Sequence, residues 1–196
     1  MKGITILLAV LLLAGCAAPP GGGAIKPEIA VAAPAPPPDP QTQMAPLESR
    51  IADLVEAARE KLDPAAHKLT LDPELSRIAR QRAQDMASKN YLAHAAPNGE
   101  TSATLLVAQD AKFQGLLGEN LAAEHYVKQS GVDVDIFARL FLDTWMQSAP
   151  HRENLAWPQY DRAGVGAAVN GDTVYVAFLF ASDLGLTPPA AAPPDR

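Results

Sequence analysis

The strongest constraint on this chain lies near its end, where Ala163–Val169 (AGVGAAV) and Thr173–Phe180 (TVYVAFLF) flank Asn170 and Gly171. Asn-Gly is a dipeptide preferred in tight hairpins, so the two runs are expected to pair antiparallel. Side chains alternate between the faces of a strand. Val174, Val176, Phe178 and Phe180 therefore point one way, and Tyr175, Ala177 and Leu179 the other. Both faces are apolar, and such a hairpin needs cover on both. The cover comes from helical patterns upstream. Leu47, Ile51, Leu54, Val55, Ala58 and Leu62 recur at helical spacing, which predicts a helix from about Pro46 to Leu62. Asp72 and Pro73 form a cap and first-turn pair opening a second helix, with Leu75, Ile78, Ala79, Ala83 and Met86 on one face. A weaker signal covers Ser102–Ala111 and a strong one Val132–Ser148, where the apolar positions exceed one stripe and predict burial on more than one side. Four helices around an apolar hairpin imply an α+β fold, a three-layer α-β-α sandwich around a mainly antiparallel sheet.

The 18 prolines are concentrated at the ends, eight of them between Ala17 and Ala45 and four after Thr187. Residues 46–186 then read as one domain, 16–45 as a Pro/Ala/Gly-rich linker and 187–196 as a disordered tail. A net charge of -6 excludes the basic footprint of a nucleic-acid binder. Cys16 is the only cysteine, so no internal disulfide framework is possible. Met1, Lys2 and the apolar run Ile4–Ala14 have the form of an export signal spanning residues 1–15. The run ends in LAGC, Leu13–Cys16, which resembles the lipobox of bacterial lipoproteins. That resemblance implies cleavage before Cys16, lipidation of its thiol, and attachment to a membrane through the acyl chains. With Ala17 rather than Asp next in sequence, it further implies the outer membrane, facing the periplasm.

Four short stretches carry the possible chemistry: KNYLAHAAPNGET with His94, LLGENLA with Gly118, Glu119 and Asn120, WMQSAPHRENL with Ser148, His151, Arg152 and Asn154, and YDRAGVGAA from Tyr160. Their order and spacing resemble the CAP (SCP-like) superfamily of cysteine-rich secretory proteins, venom antigens and pathogenesis-related proteins, in its bacterial single-domain form. The resemblance covers about Leu47 to Asp183 and implies an α-β-α sandwich with a cleft lined by histidines and acidic residues. His94 matches the first histidine, Glu119 the glutamate of the GEN motif and His151 the second histidine. The second acidic position of the animal and plant members falls on Ser148, and the family's disulfides are absent.

Read as chemistry, two imidazoles and a carboxylate from three distant segments could hold a divalent metal such as zinc through His94 and His151, with Glu119 as neighbour and a position left for water. They could equally form a hydrogen-bonded cluster in which Glu119 orients one histidine, or pin loops to the core. Ser148 and His151 share a helical face if the helix continues past Pro150. A serine hydrolase is disfavoured because no GxSxG elbow exists, and HRENL lacks the second histidine of HExxH. Ser148 is then expected to cap or hydrogen-bond locally. His67 and His125 are expected at the surface, Trp157 either in the core or rimming a cleft, and Arg152 and Asn154 in structural ties. Two functions follow: a binding module for an envelope lipid, glycan or peptide, or a metal-assisted hydrolase of an envelope polymer or peptide with Glu119 as base.

Overall fold

The computed structural model describes residues 35–183; the expected signal segment, Cys16, most of the linker and the tail lie outside them. The first helix, α1 (Pro40–Leu62), starts ahead of the expected Pro46 and takes in the end of the presumed linker. Its start is built like that of the second helix. Asp39 accepts the Gln41 N–H at 3.0 Å and Pro40 follows it, just as Asp72 accepts the Glu74 and Leu75 N–H groups ahead of Pro73 in α2 (Pro73–Lys89). Met44 and Leu47 extend the buried stripe of α1 across the enclosed Pro46.

The remaining elements are β1 (Thr70–Leu71), α3 (Ser102–Gln109), β2 (Gly115–His125), α4 (Val134–Gln147), α5 (Ala149–Ala156), β3 (Arg162–Asn170) and β4 (Thr173–Asp183). The sheet order is β1-β3-β4-β2, with β4 antiparallel to both neighbours and β1 parallel to β3. Asn170 pairs with Thr173, so the hairpin loop is Gly171–Asp172, one residue beyond the expected Asn170–Gly171. Gly171 supplies the positive φ of 64° that the first loop position needs.

The alternation of β4 divides the core as expected. Val174, Val176, Phe178 and Phe180 pack under α1, α4 and α5, while Tyr175, Ala177, Leu179 and Ala181 pack under α2 and α3. Helix α2 lies directly on the backbone of β3. A Cβ on Gly166 would run into the Ala79 carbonyl carbon and the Arg80 nitrogen, so only glycine admits this approach.

Helix α4 departs from expectation. It buries a single stripe, Phe137, Ala138, Phe141 and Trp145, and leaves Ile136 and Leu140 exposed. Its end lies at the expected Ser148, and the helix does not continue past Pro150, so the condition for Ser148 and His151 to share one helical face is not met: Ser148 adopts an extended conformation (φ -94°, ψ 121°), and α5 begins anew with Pro150 in its first turn.

Candidate functional site

Strand β2 forms one edge of the sheet, and the triplet Gly118-Glu119-Asn120 on it reaches both helical layers. Alternation sends Glu119 toward α2 and α3, and Asn120 toward α5. Asn120 is fully buried; its Nδ2 donates to the His151 carbonyl at 3.0 Å and its Oδ1 accepts from Asn154 Nδ2 at 2.9 Å. Asn154 Nδ2 also donates to the Glu119 carbonyl at 3.2 Å. Gly118 is required because a Cβ there would lie 2.5 Å from the Tyr160 hydroxyl. These ties place α5, and with it His151, against the β2 edge.

On the other layer, the loop between α2 and α3 presents His94. Ala96–Gly99 closes a tight turn in which Gly99 has φ 85° and the Ala96 N–H donates to the Glu100 carbonyl at 2.8 Å. Thr101 and Thr104 then cap α3 reciprocally, which points the next residue, Ser102, into the fold. The Ser102 hydroxyl donates to Glu119 Oε1. Glu119 Oε2 takes His94 Nδ1 at 2.6 Å. Both oxygens of this nearly buried carboxylate are thus engaged, while 64% of the His94 side chain is exposed.

Behind them sits Arg82, fully buried on α2. Its Nη2 donates to the carbonyls of Ala93 (2.8 Å) and His94 (3.1 Å), and its Nη1 to the Tyr91 hydroxyl (3.0 Å). Tyr91 in turn donates to Asp85 at 2.5 Å. Hydrogen bonds from Lys89 and then Tyr91 hold the Asp85 carboxyl below its usual range. Sequence reasoning places neither Arg82 nor Ser102 in this cluster. The spacing carries a signal for Arg82, since it falls on the apolar stripe of Leu75, Ile78 and Met86.

His151 completes the group from the opposite layer. Burial, and secondarily the charge of His94, lower its pKa, and its Nδ1 is buried without a hydrogen-bond partner among the described residues. The folded protein therefore favours neutral His151, whereas the unfolded chain takes up a proton near the ordinary value of about 6.5. Stability should accordingly be complete above that value and decline as pH falls below it. Urea midpoints measured from pH 7.5 to 5 should show this slope, and His151→Gln should flatten it; equal slopes in both proteins would contradict the assignment.

Ser148 lies at the α4–α5 junction; its side chain caps neither helix, and among the described residues its hydroxyl bonds to none of His94, Glu119 and His151. The expected local bond comes instead from its backbone carbonyl, which accepts the Arg152 N–H at 2.9 Å. Arg152 Nη1 donates to the Met146 carbonyl at 2.7 Å, a structural tie like those of Asn154. His67 and His125 are exposed, but His125 has a partner in Thr173 Oγ1 at 2.8 Å. Its neighbour Glu124 bonds Thr144. Trp157 is 45% exposed at the end of α5, so it is no core residue.

The donor set tests the metal reading. Among the described residues no group of three or more His, Cys, Asp or Glu side chains could hold a metal ion. His94 and His151 are two imidazoles, short of the three protein ligands of a catalytic zinc centre, with Glu119 standing behind His94 as its hydrogen-bond support. The residues do not fit such a centre. A cavity of about 590 Å³ between α1, α2 and β3 is built from other residues, and its buried Glu48 is already satisfied by Arg80 and the Ala167 N–H.

Comparison with known proteins places this arrangement. The chain is 28% identical over 124 residues to the uncharacterized protein YkwD of Bacillus subtilis (strain 168), an overlap of 63% of this chain and 43% of that one. An extracellular protein containing a SCP domain from Bacillus anthracis superposes with a TM-score of 0.57 at 26% identity, covering 76% of this chain and 45% of the other. The chain thus spans less than half the length of either relative. An outer surface protein of Borrelia burgdorferi shares the fold over 74% of this chain and 96% of its own, with a TM-score of 0.55 at 23% identity. The model of the cysteine-rich secretory protein family, CAP, matches residues 53–182, from the middle of α1 to the end of β4 and across every residue of the His94–Glu119–His151 group, and the chain belongs to that family.

Proposed function

We propose that the protein is a binding module of the bacterial cell envelope, which takes a polar ligand against His94 and His151. The observation that carries this reading is the double engagement of Glu119: a carboxylate held by Ser102 on one oxygen and bonded to His94 Nδ1 through the other is a fixed support that orients an imidazole toward a ligand. An envelope or secreted location is supported by the names of the relatives, extracellular in one case and outer surface in another. The LAGC sequence extends this to an acyl anchor at Cys16, with Pro-rich sequence between anchor and domain.

The ligand class follows from the setting: an envelope lipid, glycan or peptide with hydrogen-bonding groups. The full chain carrying Cys16→Ser, and so free of the acyl anchor, should be retained by purified bacterial cell-wall sacculi or by phospholipid vesicles. The paired change His94→Ala with His151→Ala should weaken retention tenfold or more, the equivalent of about 1.4 kcal/mol, and Ser148→Ala should leave it intact. In cells, Cys16→Ser should move the protein out of the membrane fraction. Equal retention of wild type and double variant would overturn the site. Breakdown of the polymer by wild type but not by Glu119→Gln would replace binding by hydrolysis.

A further inference from the structure

The two nitrogens of His94 are not equivalent. Nδ1 faces Glu119 Oε2 at 2.6 Å, and an ionised carboxylate only accepts hydrogen bonds, so Nδ1 carries the proton. A neutral imidazole has one N–H, which leaves Nε2 as a bare acceptor. What keeps Glu119 in this position is its other oxygen. Oε1 accepts from Ser102, whose residue is 3% exposed, and stands 3.8 Å from Arg82 Nε, itself buried and without a hydrogen-bond partner among the described residues. Arg82 Nε is therefore a competing donor within a small rotation of the carboxylate. Ser102 holds Glu119 short of it, while the far end of Arg82 fixes the backbone carbonyls of Ala93 and His94.

We infer that Ser102 and Arg82 are positioning residues which, through Glu119 and the His94 backbone, lock His94 as its Nδ1–H tautomer, so that the site turns an unprotonated Nε2 outward and selects ligands that bring an N–H or O–H donor. This deepens the binding reading and rests on it for the ligand, although the tautomer itself is a property of the protein alone. A site presenting Nε2–H would prefer carboxylates and phosphates. Amide, hydroxyl and amine groups suit the arrangement found here.

The test is long-range proton–nitrogen NMR of the full chain labelled with ¹⁵N-histidine at pH 8, above the ordinary histidine range. Wild-type His94 should show a protonated Nδ1 and an unprotonated Nε2. In Ser102→Ala the carboxylate should swing toward Arg82, and the His94 signals should move to the averaged positions of a tautomer mixture; Ser102→Thr, which keeps the hydroxyl, should restore the wild-type pattern. Arg82→Lys keeps the charge but loses the paired carbonyl contacts and should also give the mixture; because Ser102→Ala tests the same lock, the inference stays falsifiable if Arg82→Lys does not fold. A protonated Nε2 in wild type, or an unchanged spectrum in Ser102→Ala, would overturn it. A locked tautomer in a protein that sacculi and vesicles fail to retain would leave the positioning roles standing and remove the binding reading, so the two failures are distinguishable.

Discussion

Val176→Asp is expected to abolish cooperative folding or to lower its midpoint by about 10 °C or more. Val176 is fully buried near the middle of β4, paired with Ala167 of β3 on one side and Ala122 of β2 on the other, in the layer shared with Phe178 and Phe180. The substitution removes an apolar side chain worth about 1.5–3 kcal/mol of burial. It also places there a carboxyl group that must either stay ionised without a partner or take up a proton, and both cost free energy. A combined loss of several kcal/mol, about 4 or more, is a large part of the ~5–15 kcal/mol that holds a domain of this size together. Thermal denaturation followed by circular dichroism should show no cooperative transition, or one lowered by about 10 °C or more. Val176→Ala, which leaves only a small cavity, should melt cooperatively a few degrees below wild type. A Val176→Asp melt that coincides with wild type would mean that β4 is not the central covered strand.

How far the sequence can be read depends on what buries each residue. Strand β4 is legible because burial on both faces leaves apolar residues at every position from Val174 to Ala181, and that pattern alone demands two helical layers. Strand β2 is not, since Glu119 and Asn120 interrupt its apolar run, and these two are covered because partners satisfy them. The start of α1 is hidden by the Pro-rich sequence ahead of it, although Asp39-Pro40 repeats the Asp72-Pro73 pair. In α4, Ile136 and Leu140 supply apolar positions that the fold leaves at the surface, so counting such residues overstates burial.

The same distinction applies to the site. His94, Glu119 and His151 stand out because these residue types carry chemistry wherever they occur, and the fold brings their three segments to the β2 edge. A shared helical face for Ser148 and His151 requires a continuous helix, which the break before Pro150 removes. Arg82 escapes notice because arginine on an amphipathic helix is ordinarily assigned to the wet face. Its position on the stripe of Leu75, Ile78 and Met86 is the better guide.

Arg59 obeys that guide as well, falling in register with Leu47, Ile51 and Val55 on the buried stripe of α1, and its replacement is the second change with a large expected effect. The guanidinium is fully buried and donates to four carbonyls, Leu155 (2.8 Å) and Trp157 (2.9 Å) through Nη1, His67 (3.1 Å) and Tyr160 (3.1 Å) through Nη2. Burial lowers its pKa from the ordinary arginine value, yet a guanidinium remains charged in proteins. One side chain thus closes the end of α5, the segment leading into β3 and the loop after α1. Arg59→Met keeps most of the volume and strips all four donors. Each buried carbonyl left unpaired costs about 1–3 kcal/mol, reduced where water can enter, so a total loss of about 4 kcal/mol or more is expected. Arg59→Lys should fall between, because an ammonium retains the charge but lacks the planar fork that reaches four acceptors from two nitrogens. Urea denaturation should rank the proteins wild type, Arg59→Lys, Arg59→Met in falling midpoint. Because α5 also carries His151, Arg59→Met should weaken retention by sacculi or vesicles under conditions where most of it remains folded, whereas a core defect of equal cost away from the site, such as truncation of Phe137 to Ala at the start of α4, should spare the folded fraction's binding. Equal midpoints for wild type and Arg59→Met would show that the four carbonyls are already satisfied without the guanidinium, and α5 would then be held to the fold by Leu155, Asn154, Asn120 and Arg152.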